Sequence, residues 1–152
     1  MHEGQKELEV FDASTYRVGL VCATFNSHII EQIKNSALIK SKEYNVKPEN
    51  IDIYYVAGSV EIPVALQALA QKGKHDCYVA IGTIIKGATD HYQYVCNMVS
   101  DGILRVMLDN TVSIGFAVLT TQNQDLAQER VSLGGDAIAA ALHNAKLIKE
   151  SI

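Results

Sequence analysis

The stretch "CYVAIGTIIKGATDHYQYV", Cys77 to Val95, carries the reading of the whole chain. It begins as an apolar run far shorter than the roughly 18 residues a membrane span requires. It then passes through Gly82, Thr83, Lys86, Gly87, Thr89 and His91 before apolar residues resume at helical spacing. A buried strand that runs through a glycine-bearing loop into a helix is half of a βαβ unit. That raises two questions: does the pattern recur, and what does such a loop bind?

It recurs. "RVGLVCAT" (17–24) is apolar throughout and suits a strand buried on both faces. In "HIIEQIKNSALIKSKEY" (28–44), Ile29, Ile30, Ile33, Ala37 and Leu38 share one helical stripe. "IDIYYVA" (51–57) is β-branched and aromatic, hence a second strand. "GSVEIPVALQALAQKGK" predicts a glycine turn, then Val64, Leu66, Leu69 and Ala70 in a helix that ends at Gly73. "HDCYVAIG" is the third strand, followed by a helix from about His91 to Leu108 with Val95, Met98, Val99, Gly102, Ile103 and Val106 on one side. "TVSIGFAVL" is the fourth strand, and residues 123–152 read as closing helix.

Four strand–helix alternations with short connections predict an α/β fold: a four-stranded parallel sheet in order 2-1-3-4 with helices on both faces, a three-layer flavodoxin-like sandwich. No linker or repeat divides residues 1–152, which read as one domain. Residues 1–15 read as an N-terminal arm, either a loose tail or a strand added to another subunit's sheet.

The net charge of −4, without a dense Lys/Arg cluster, argues against nucleic acid and anionic membrane surfaces as partners. Cys22, Cys77 and Cys96 lack metal-ligand spacing and read as reduced thiols of a cytoplasmic protein, and no secretory signal is visible. No metal site is expected.

In such a sheet, chemistry gathers where strand ends lead into helix N-termini. The loops there are "TFNS" (24–27), "AGSVE" (57–61), "GTIIKGATDH" (82–91) and "LTTQN" (119–123). Gly87, Ala88 and Thr89 precede a helix, where unpaired N–H groups and the dipole favour an anion such as phosphate. Thr89 also reads as a plain N-cap. His91 follows within the first turn, where a cation is disfavoured and neutral imidazole can serve as a base, although a solvated surface histidine fits as well. Lys86 reads as a solvated amine, and Glu61 before Pro63 as helix-start chemistry. Phe25 is either a cap over the core or a stacking platform for a flat ligand.

At "FNSHII", "AGSVEIP", "AIGTIIKGATDHYQYV", "FAVLTT" and "QERV" the chain resembles the 6,7-dimethyl-8-ribityllumazine synthase family of riboflavin biosynthesis, with the segments in family order along nearly the whole length. The resemblance implies a transferase that joins 5-amino-6-(D-ribitylamino)uracil to 3,4-dihydroxy-2-butanone 4-phosphate, without cofactor. By the same resemblance Phe25 stacks on the pyrimidine ring and Asn26 meets its polar chain. Ser59, Val60 and Glu61 hold the ribityl hydroxyls, and the backbone of Thr83, Ile84 and Ile85 reads the uracil edge. Ala88, Thr89 and Arg130 bind phosphate, and His91 moves protons. Phe116 and Arg130 are implied to come from a neighbouring subunit of a homopentamer, whether single or multiplied into a larger assembly. Two departures stand out: Val60 where the family usually has Phe, and "VSLGGDAI" (131–138) without the family's lysine. Both feed the alternative of a non-catalytic lumazine- or flavin-binding or shell-forming relative.

Overall fold

The computed structural model describes residues 6–88 and 90–152. Its sheet has four parallel strands: β1 (Val18–Ala23), β2 (Ile51–Val56), β3 (Cys77–Ile85) and β4 (Ser113–Thr121), in the order β2-β1-β3-β4. Val18 pairs with Ile51 on one side and Cys77 on the other, and Cys77 pairs with Ser113. This is the flavodoxin-like order expected from the alternation.

Helices α1 (Ser27–Glu43) and α5 (Leu133–Glu150) pack against each other on one face, and α2 (Ile62–Lys72) and α3 (Tyr92–Asn110) on the other. A short α4 (Gln124–Gln128) follows β4. Every residue of β1 is buried, because the strand is central and covered on both sides. The edge strand β2 instead alternates in exposure. Each fully buried Leu20, Ile81, Ile103 or Leu142 contributes about 1.5–3 kcal/mol of transfer free energy. Among the described residues, no helix is long and apolar enough to cross a membrane.

The pattern-based boundaries shift in four places. First, β3 does not end at Gly82. It continues to Ile85, since Gly82 pairs with Val118 and Ile85 with Thr121, so β-branched Thr83, Ile84 and Ile85 extend the ladder. β4 correspondingly reaches Thr121, and the loop into α3 shrinks to residues 86–91. Second, α2 buries Ile62 and Leu66, one turn apart, while Val64 lies roughly 200° round the helix from Ile62 and is 70% exposed. Third, α3 buries only Val99, Ile103 and Val106, leaving Met98 58% exposed.

Fourth, the closing segment is two helices. Residues 129–132 form a turn in which the Arg130 amide donates to Ala127 and the Leu133 amide to Arg130. At the start of α5, a Cβ on Gly134 would collide with the Ile33 carbonyl of α1, so glycine lets the two helix backbones touch there. The helix end expected at Gly73 is present, with φ 68° in the left-handed region that glycine adopts without strain.

The far end of the sheet carries a cross-strand strap. His75, buried just before β3, donates from Nε2 to Asp52 Oδ2 of β2 at 2.7 Å, although β1 lies between those strands. It passes over Gly19 of β1, which pairs with both Asp52 and Tyr78. The hydrogen bond from His75 holds the Asp52 carboxyl below its ordinary range.

Ahead of β1, described residues up to Val10 are exposed, whereas Phe11 packs edge-on against Tyr16, Tyr44 and His143. The Ala13 amide donates to the Tyr44 carbonyl at 2.7 Å.

Candidate active site

Parallel strands bring their carboxyl ends to one edge, and three of the four expected loops close round a single cavity there. Backbone bonds lock the first two together. The Thr24 amide donates to Val56 at 2.9 Å, the Phe25 amide to Ala57 at 3.2 Å, and Thr24 Oγ1 to the Ala57 carbonyl at 2.9 Å. Asn26 then turns the chain into α1 with φ 63° and ψ 47°, a left-handed conformation that asparagine tolerates better than most residues. The third loop is held to β4 by the Lys86 amide, which donates to the Thr121 carbonyl at 2.9 Å. His91 caps α3, its carbonyl accepting from the Val95 amide at 3.0 Å.

The cavity has a volume of about 180 Å³. Of the expected site residues, Phe25, Ser59, Thr83, Ile84, Ile85 and His91 line it together, although they span residues 25 to 91 in sequence. Phe25 is 70% exposed, so its ring lies over the mouth and is no part of the core. Of the two readings that the sequence left open, the core cap is thereby excluded.

Other expected residues lie elsewhere. Asn26 faces an adjoining depression shared with Thr24 and Gln124. Val60, Glu61 and Ala88 are exposed beside the cavity loops without lining it. Thr89 falls outside the described residues. Phe116 pairs with Ala80 midway along the sheet, four residues short of Thr120, the partner of Ile84. Arg130 is exposed in the turn between α4 and α5. Neither Phe116 nor Arg130 lines the cavity of its own chain.

Gly58, Gly87, Tyr92 and Val95 also line the cavity. Val95 was legible on the inward side of α3, but nothing in the pattern marked it or Tyr92, three residues before it, as a site residue. Burial raises the Tyr92 phenol above its ordinary range, with Cys96 adding to the rise and Thr120 opposing it. The hydroxyl is therefore a donor at neutral pH.

The wall is mostly apolar and the floor is polar. Ser59 Oγ and Thr83 Oγ1 are buried without a hydrogen-bond partner among the described residues. A buried hydroxyl left so costs about 1–3 kcal/mol, which makes the floor unfavourable by itself and suited to a polar guest. No cation lines the cavity among the described residues, and none of the thiols lines it either. Burial raises the Cys22 thiol to about 12, so it is inert as a nucleophile at neutral pH. Among the described residues no group of three or more His, Cys, Asp or Glu is placed to hold a metal ion.

This arrangement can seat a flat, partly polar ligand under an aromatic ring with an imidazole at its edge. The order of its loops is also that of a known enzyme family. The family model for 6,7-dimethyl-8-ribityllumazine synthase matches residues 15–149, which spans all four strands, α1 to α4, α5 but for its last residue, and every cavity-lining residue. The chain belongs to the 6,7-dimethyl-8-ribityllumazine synthase family, a family of enzymes of riboflavin biosynthesis.

Proposed function

We propose that this protein condenses 5-amino-6-(D-ribitylamino)uracil with 3,4-dihydroxy-2-butanone 4-phosphate to give 6,7-dimethyl-8-ribityllumazine. The observation that carries the reading is the joint lining of one cavity by Phe25, Ser59, the strand end Thr83–Ile85 and His91. The 5-amine attacks the ketone and water leaves as an imine forms. Phosphate is then eliminated, and the ribitylamino nitrogen closes the ring on the remaining carbonyl with loss of a second water.

Each step needs a proton moved to or from nitrogen or oxygen, and the His91 imidazole at the cavity edge is assigned that work. Phe25 stacks on the uracil ring, and the Thr83–Ile85 backbone reads its edge. Ser59, Val60 and Glu61 take the ribityl chain, with Asn26 beside it. Ala88 and Thr89, at the start of α3, take the phosphate with a neighbouring subunit's Arg130. Phe116 of a neighbour completes the aromatic wall. Holding two reactants in register supplies much of the rate, so the reading requires no cofactor.

Sharing residues in this way requires assembly. A homopentamer is proposed, in which the single domain of residues 1–152 carries an N-terminal arm within its first fifteen residues. Two features support this. Leu8 and Val10 are exposed on the arm, and Tyr94, Met98, Leu104 and Leu108 are exposed along α3, an apolar surface larger than a lone chain needs. The enzyme is placed in the cytoplasm, in keeping with its three free cysteines.

Incubating the protein with both substrates and recording lumazine absorbance tests the proposal. Lumazine should form faster than in the uncatalysed mixture, and His91→Ala should lower turnover by about 10- to 10⁴-fold. Tight lumazine binding without turnover would instead establish the non-catalytic relative.

A further inference from the structure

Arg130 is the only Lys or Arg between Arg105 and Lys146, and it stands exposed in the turn between α4 and α5. A lone cation on a surface turn serves a ligand only as well as the turn is held, because every loop conformer and rotamer frozen on binding costs affinity.

Both ends of this turn are fastened to α1. Ahead of it, Gln32 and Gln128 form a reciprocal amide pair: Gln32 Nε2 donates to Gln128 Oε1 at 3.1 Å, and Gln128 Nε2 to Gln32 Oε1 at 2.5 Å. Behind it, Ser36 Oγ donates to the Ser132 carbonyl at 3.2 Å and accepts from the Gly135 amide at 2.9 Å. Gln32 is steadied in turn by the His28 carbonyl, to which its Nε2 donates at 3.2 Å. Gly135 leaves room for Ser36, since a Cβ there would stand 3.3 Å from Ser36 Oγ.

Gln32 and Ser36 are one helical turn apart and share a face of α1. Their partners Gln128 and Ser132 have the same spacing, so both contacts join residues 96 positions apart. The segment from Gln128 to Ser132 thus lies in register along α1, with Arg130 at its midpoint. The Arg130 amide donates to Ala127 and its carbonyl accepts from Leu133, so its backbone is fixed while the residue stays exposed. Side-chain bonds on a partly exposed surface contribute little to stability. What they fix is geometry.

We propose that Gln32 and Ser36 are positioning residues: through Gln128 and Ser132 they clamp the turn that presents Arg130, and so set how well its guanidinium is placed for the phosphate of the second substrate. This rests on the function proposed above, in which Arg130 serves a neighbouring subunit's site, and it adds the residues that hold Arg130 ready.

Gln128→Met removes the amide pair at nearly constant length, and Ser36→Ala removes the hydroxyl. Lumazine formation would be measured with each substrate varied in turn, for these variants alone and in an Arg130→Ala background. Each single variant should raise KM for 3,4-dihydroxy-2-butanone 4-phosphate about three- to tenfold and leave KM for the uracil within about twofold of wild type. With Arg130→Ala already present, neither should change the butanone phosphate KM by more than about twofold, since the group they position is gone. Tm should stay within about 2 °C of wild type for Gln128→Met. Gln128 is exposed, so its variant tests the clamp even where Ser36→Ala disturbs the contact of α1 with α5. Unchanged KM values, equal rises for both substrates, or the same rise in the Arg130→Ala background overturns the clamp while leaving the reaction intact. A wild-type butanone phosphate KM in Arg130→Ala alone overturns the role proposed for Arg130, and the clamp with it.

Discussion

Replacing Gly19 by alanine tests how the sheet is braced at the end remote from the cavity. A Cβ at Gly19 would lie 2.8 Å from Tyr78 Cδ1, 3.1 Å from Cε1 and 3.5 Å from His75 Cγ. The first distance is below what carbon atoms tolerate, so something must move. Tyr78 has little freedom to do so. It is fully buried, and its hydroxyl donates to the Leu69 carbonyl at 3.0 Å.

Overpacking of this kind costs about 1–3 kcal/mol. Alanine also narrows the unfolded ensemble, which offsets about 0.4–1 kcal/mol, because Gly19 does not occupy the left-handed region. The net expectation is a loss of about 1–2 kcal/mol, or about 2–8 °C in Tm for a chain of this size. The assay is thermal unfolding at fixed protein concentration, since assembly makes Tm concentration-dependent. Gly19→Ala should then be repeated in a Tyr78→Leu background, where the obstructing ring is gone. There the added cost should fall below about 0.5 kcal/mol. Equal costs in the two backgrounds, within about 0.5 kcal/mol, would refute the steric account.

Three further outcomes follow from the structure and the proposed function. Phe25→Ala should weaken the uracil substrate by about 0.5–1.5 kcal/mol, a factor of about 2–13, and leave Tm unchanged because the ring is mostly exposed. A sharp fall in Tm with unaltered binding would contradict that placement. The His143 imidazole, bonded at Nε2 to Tyr44 Oη at 3.0 Å, is pushed below its ordinary value by burial first and then by Lys146. Its contribution to stability is therefore complete above about pH 6.5 and lost as pH falls towards the folded value. Urea midpoints between pH 7.5 and 5.5 should drop more in wild type than in His143→Gln, and parallel curves would show that another group titrates. Finally, Arg130→Ala and His91→Ala proteins, each impaired alone, should gain activity above the mean of the two after joint dissociation and reassembly. Confirmed subunit exchange without recovery rules out sites shared between chains.

The order of elements was legible because binary patterning and connection length leave few alternatives. Four apolar runs alternating with helical stripes allow one handedness of crossover and few strand orders. The loop chemistry was legible for the same reason: Phe25, Ser59 and His91 follow strand ends and Thr83 lies near the end of β3, and parallel strands must bring those ends together. Other features depend on contacts that one-dimensional periodicity does not contain. That β3 runs on to Ile85 is decided by nine residue pairs with β4. The close approach of α5 to α1 depends on Gly134 against the α1 backbone, and the exposure of Val64 on which side of α2 is buried. The strap from His75 over Gly19 to Asp52 and the unsatisfied hydroxyls of Ser59 and Thr83 are likewise properties of neighbours in space. Pattern states which face a residue belongs to. Only packing decides which atoms meet on that face, because hydrogen bonds and steric contacts are settled within fractions of an ångström between residues tens of positions apart.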